Sequence, residues 1–188
     1  MRDFRGFAVA AIVLSVAAGA AEKRPEPIRF SAPKKSASGS RAVAVLEGRS
    51  GSSMKGEAVI VKNGLRYAFR LVVENAPPGT HGVHLHERGD CSAPDALSAG
   101  PHWNPTGEAH GRWGSPPFHR GDVGNIEVGP DGKGSLTLAT DLWTIGGDSK
   151  TDVLNRAVVV HEAADDFVTQ PTGNAGARIA CGAIRLEE

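Results

Sequence analysis

Residues 65–73, LRYAFRLVV, alternate strictly between the two sides of an extended chain. Leu65, Tyr67, Phe69, Leu71 and Val73 fall on one face, Arg66 and Arg70 on the other. A period of two is the pattern of a half-buried β-strand; a helix would scatter the same apolar residues around its circumference. The rhythm recurs in AVAVLEG, GEAVIVKNG, NIEV, SLTLAT, NRAVVVHE and RIACGAIRL, and GPDGKG between NIEV and SLTLAT is a turn signal. With 24 glycines, 12 prolines and no amphipathic helical pattern, the chain reads as an all-β sandwich or barrel.

Two stretches, 87–121 and 162–177, interrupt the rhythm. Unstructured segments of that length inside a compact domain are usually functional. The globular part runs from Arg41 to the C-terminus, so residues 41–188 form one domain. Ahead of it, MRDFR and a 16-residue uncharged run, GFAVAAIVLSVAAGAA, have the layout of a secretory signal, with Ala18-Gly19-Ala20 suited to cleavage. Residues 1–20 are therefore expected to be a signal peptide, with an uncleaved anchor as the alternative, and no cysteine near the cut marks a lipoprotein. Residues 21–40, rich in Pro, Lys and Ser, cannot bury enough to offset their ordering entropy and read as a flexible tether.

Without residues 1–20 the chain keeps 19 basic and 20 acidic residues, which is no electrostatic footprint for nucleic acid or an anionic membrane. No stable membrane association is expected after cleavage. The two cysteines, Cys91 and Cys181, would in an exported protein most simply form one disulfide; two free buried thiols are the alternative.

The seven histidines are 81, 84, 86, 102, 110, 119 and 161. His84 and His86 sit two apart in a strand and project together, while Val83 and Leu85 point into the core. Two imidazoles on one face can chelate a metal, although an HxH pair alone is a weak motif. The loop sequence HWNPTGEAHGRWGSPPFHRGD adds His102, His110, His119 and Asp122, three nitrogens and a carboxylate that complete a closed tetrahedral zinc set. One site on the strand and one in the loop are expected.

The stretches HGVHLHERGDCS, SAGPHWNP, FHRGDVGNI, VVVHEAADD and GNAGARIACGAI resemble the copper/zinc superoxide dismutases, across about residues 41–188. The intervals of eight, nine and three from His102 through His110 and His119 to Asp122 match that family's zinc site. The resemblance implies a Greek-key β-sandwich or flattened barrel of about eight antiparallel strands with two long functional loops. It implies one copper per chain at His84, His86, His102 and His161, and one zinc at His102, His110, His119 and Asp122, with His102 bridging the two. The reaction implied is dismutation of superoxide to dioxygen and hydrogen peroxide by copper alternating between Cu(II) and Cu(I), with His102 handing on a proton.

Arg178 matches the arginine beside the open copper position, Asp165 a carboxylate bonded to a ligand of each metal, and His81 a supporting histidine. Cys91 and Cys181 match the family disulfide. Cys91 directly after Gly89-Asp90 resembles the bacterial secreted branch, so export to the periplasm is expected, with the extracellular space as the alternative. The second loop, FVTQPTG between Asp166 and Gly173, lacks the charged residues that guide superoxide in the animal enzymes. A homodimer is one arrangement within the family, whose subunit interface differs between branches.

Rival readings are an exported copper-chaperone or metal-storage domain without turnover, a two-metal hydrolase and a metal-free adhesive sandwich. Such chaperone and storage domains often lack part of the catalytic set, which is complete here. The hydrolase pattern wants Asp where Arg88 stands, and adhesion leaves seven clustered histidines unexplained.

Overall fold

The computed structural model describes residues 41–187; the expected signal peptide and tether lie outside the described residues. Among the described residues nine β-strands follow one another: β1 (Arg41–Gly48), β2 (Lys55–Asn63), β3 (Arg66–Glu74), β4 (Gly79–His86), β5 (Asp122–Val128), β6 (Gly134–Thr140), β7 (Ala157–His161), β8 (Arg178–Ala183) and β9 (Arg185–Leu186). Among the described residues a single 3-10 turn, Leu97–Ala99, interrupts the first long loop.

Every strand pairing is antiparallel, in the order β2-β3-β6-β5-β4-β7-β8-β1, and β1 pairs again with β2. The sheet therefore closes into an eight-stranded barrel, the solution that leaves no unpaired edge. The jumps from β3 to β6 and from β4 to β7 are the non-consecutive neighbours of a Greek key. Strand β9 is the extra element and continues along β1 in the register that β8 began.

Alternation explains which side chains fill the barrel. Ala42, Ala44 and Leu46 of β1, Ala58 and Ile60 of β2, and Phe69, Leu71 and Val73 of β3 are buried, while Arg66 and Arg70 face out. Each fully buried Leu, Ile or Phe contributes roughly 1.5–3 kcal/mol. Leu65 departs from the pattern: it sits in the turn before β3 and is 93% exposed, so the alternation begins one residue before the strand does. A third long connection, 141–156, joins β6 to β7. It inserts Trp143 into the core, where the indole meets Phe69 edge-on and donates its N–H to the Arg120 carbonyl at 2.9 Å.

Strand β4, like its neighbour β7, is buried on both sides. Val83 and Leu85 enter the barrel, and His84 and His86, also 0% exposed, lie beneath the long loops on its outer side. The first long loop returns to β4: Trp103 N–H donates to Leu85 C=O, Leu85 N–H to Gly121 C=O and Gly121 N–H to Trp103 C=O. A Cβ at residue 121 would fall on the Leu85 carbonyl and within 3.1 Å of Trp103 N, so only glycine allows this approach.

Candidate metal centre

Two register shifts aim the histidines. The β4–β5 ladder slips between Val83 and His84, and the β7–β8 ladder slips between Val160 and His161. Such irregularities re-aim a side chain at the rim of a barrel. His102 is carried in by its bridge to His86, and His119 and Asp122 stand at the entry to β5. All six of these residues and His110 are buried.

The ligand-type atoms gather in two groups, each within 4.8 Å: His84, His86, His102 and His161 in one, His84, His102, His110 and Asp122 in the other. His119 joins the second through the carboxylate. Asp122 Oδ1 lies 3.1 Å from His102 Nδ1, 3.0 Å from His110 Nδ1 and 3.2 Å from His119 Nδ1. The His84 and His102 rings stack at 3.9 Å between centroids, so the two groups are contiguous.

Each ring commits at most one nitrogen to the protein frame. His84 Nε2 and His110 Nε2 donate to the two oxygens of Asp165, both at 2.9 Å. His86 Nδ1 donates to Gly100 C=O at 2.8 Å and His161 Nδ1 to Gly176 C=O at 3.2 Å. The other nitrogens face inward, with His86 Nε2 3.4 Å from His161 Nε2. Among the described residues, His84 Nδ1, His102 Nε2, His110 Nδ1 and His119 Nδ1 are buried without a hydrogen-bond partner. A buried nitrogen left unpaired costs on the order of 1–3 kcal/mol, so four of them converging here form a donor set suited to metal. Neutral imidazoles with one carboxylate suit copper and zinc, and the donor set fits both.

The electrostatics divide the site. Burial lowers the His161 pKa to about 3 and that of His102 to about 4, with neighbouring imidazoles adding to the effect. Burial likewise draws His86 well down, helped by His102 and Arg178. These rings hold free lone pairs at neutral pH. His110 goes the other way: burial opposes its charge, but the carboxylates of Asp122 and Asp165 outweigh it and raise the pKa to about 9, so this ring would give up a proton when a metal takes its Nδ1. Both carboxylates resist protonation; burial works against them, and the histidine hydrogen bonds hold them far below the usual range.

Arg178, at the start of β8, donates to the carbonyls of Ala96 at 2.7 Å and Gly100 at 2.8 Å. Sharing Gly100 with His86 puts its guanidinium beside that ring. His81 is buried with each ring nitrogen 2.9 Å from a carbonyl, those of His161 and Pro77, so it braces β4 against β7 and does not reach the cluster. Cys91 and Cys181 are disulfide-bonded, tying the first long loop to β8. A cleft of about 560 Å³ opens onto His102 and His119, and Lys150 and Arg156 of the third connection line it.

Two amides in the site have no counterpart in the sequence reading. Asn125 of β5 grips Asp165 by both backbone groups, accepting its N–H at 2.8 Å and donating to its C=O at 2.9 Å. Gln170 does the same to His110. Their partners lie 40 and 60 residues away, and no local pattern marks them.

Residues 54–184 match the family model of copper/zinc superoxide dismutase (SODC). The superoxide dismutase-like protein YojM of Bacillus subtilis (strain 168) is 40% identical over 111 residues, 57% of this chain and 57% of that protein. The chain thus spans little more than half the length of that relative. The crystal structure of the clock protein EA4 is similar at a TM-score of 0.70 and 33% identity, covering 83% of this chain and 100% of that one. The barrel, the histidine cluster and the family match over most of the chain agree, and this chain belongs to the copper/zinc superoxide dismutase family.

Proposed function

We propose that the chain is an exported superoxide dismutase with copper at His84, His86, His102 and His161 and zinc at His102, His110, His119 and Asp122. The observation that carries this reading is the set of orphaned ring nitrogens on either side of His102, whose Nε2 faces one group and whose Nδ1 faces Asp122 in the other. Copper, when bound, would supply the one-electron exchange between Cu(II) and Cu(I) by which two superoxide ions become dioxygen and hydrogen peroxide.

The chain's own residues do the rest. His102 is held at its Nδ1 end by Asp122, which leaves Nε2 free to carry one of the two protons that peroxide needs. The cleft at His102 gives that ring a route to solvent protons. Arg178 spends two of its five N–H donors on carbonyls, and the fixed charge that remains suits a small anion approaching the His86 side. Asp165 keeps the Nδ1 lone pairs of His84 and His110 pointing inward by accepting at both Nε2 atoms. Three imidazoles and a carboxylate close the zinc end, the usual form of a structural site.

Export belongs to the same reading. The disulfide is consistent with an oxidising compartment, and residues 1–20 carry the layout of a signal, so the periplasm is favoured over the extracellular space. The test is superoxide-dependent activity of the purified protein before and after loading with copper and zinc. Activity that rises with copper content supports the reading; both metals bound without turnover would leave copper binding or storage as the function.

A further inference from the structure

Beyond the Asp165–His110 bond, the uncharged FVTQPTG segment of the second long loop reaches the first long loop at two points. Gln170 Oε1 accepts the His110 N–H at 2.8 Å and its Nε2 donates to the His110 C=O at 2.9 Å. Among the described residues no backbone group bonds to either, so one side chain satisfies both sides of the His110 backbone. Two bonds on either side of one Cα fix the direction of its Cβ, and with it the ring. Two residues further on, the Arg112 guanidinium lies over the Phe167 ring, 3.9 Å from its centroid. Between them Gly111 N–H donates to Asp122 Oδ2 at 3.0 Å.

Phe167 takes a positive φ of 62°, a costly conformation for a bulky residue, and its N–H donates to Asp165 Oδ1 at 2.7 Å. The same carboxylate oxygen accepts from His110 Nε2. Residues 110–112 are therefore held one after another by Gln170, Asp122 and Phe167, whereas residues 106–109 ahead of them are exposed.

We infer that Gln170 is a positioning residue for the zinc end of the site, and that the second long loop serves in this chain as a clamp on the metal-bearing loop. The inference rests on the two-metal reading above. Gln170 itself acts on His110 alone; His84, His86 and His161 are carried by strands β4 and β7 and take nothing from it.

The test uses cobalt(II) as a visible probe of the zinc end in the full chain, with copper retention measured in parallel. Q170A should release cobalt to a chelator on the order of tenfold faster and alter the tetrahedral absorption bands, the scale at which residues supporting a ligand affect a metal site. Gln170→Asn, one methylene too short to reach both backbone groups, should follow Q170A. Gln170→Glu keeps the acceptor for the His110 N–H and should fall between Q170A and the unchanged protein. Copper retention should change less than about twofold in all three, which a general loosening of the fold would not allow. If the unchanged protein takes up cobalt with tetrahedral bands and Q170A matches it in spectrum and release, the inference fails alone. If the unchanged protein takes up no cobalt, the two-metal reading fails and the inference with it.

Discussion

Asp165 Oδ2 accepts the Nε2 proton of His84 across 81 residues of sequence at 2.9 Å, while its other oxygen does the same for His110. One carboxylate thus sets the ring nitrogens of both groups, and Asn125 holds that carboxylate's backbone in turn.

Asp165→Asn tests this arrangement. An amide presents one acceptor and one donor, so only one of the two rings can keep its tautomer. Metal affinity should fall on the order of 10–100-fold at one group or both, read by chelator competition, with the barrel intact by circular dichroism.

Gly173→Ala should be far more harmful than an ordinary glycine replacement. Gly173 has φ 67°, and a Cβ there would fall on Asp165 Oδ1 and 2.6 Å from His110 Nε2. The expected cost is roughly 1–3 kcal/mol of stability in thermal unfolding, together with loss of metal from the zinc end. Gly146→Ala is the control: φ is 80° but nothing stands within 4 Å, so the backbone cost should come without the metal effect.

Arg178→Gln should leave metal content unchanged and lower the dismutation rate on the order of tenfold, with a flatter dependence on ionic strength. Stopped-flow rates at two salt concentrations would show it. A rate equal to that of the unchanged protein would remove Arg178 from its proposed role.

Replacing Cys91 and Cys181 together by Ser frees a loop of 90 residues. In the loop-closure model the unfolded state gains about 4–5 kcal/mol, so denaturant midpoints should fall steeply. Metal at the zinc end should exchange faster, because that loop loses its tie to β8.

The barrel was legible because its signal is local: alternation in seven short stretches, with turns between them. Leu65 breaks the rule because the alternation runs on into the turn. The connection 141–156 carried no such rhythm, and its ordering by Trp143 and by Asp152 side-chain bonds to Gly146 and Leu154 depends on the folded chain. The histidines could be found because HxH shares a strand face and the loop ligands keep short intervals. Gln170 carries no such mark: it sits in an uncharged loop, and what matters about it is its reach to a backbone 60 residues away.

In the proposed function His102 stands between two metals in one chain. Native mass spectrometry of the protein loaded with copper and zinc measures it most directly. One copper and one zinc per chain are expected, with His102→Ala losing affinity for both. A single metal per chain at saturation, or two metals held equally well without His102, would contradict it.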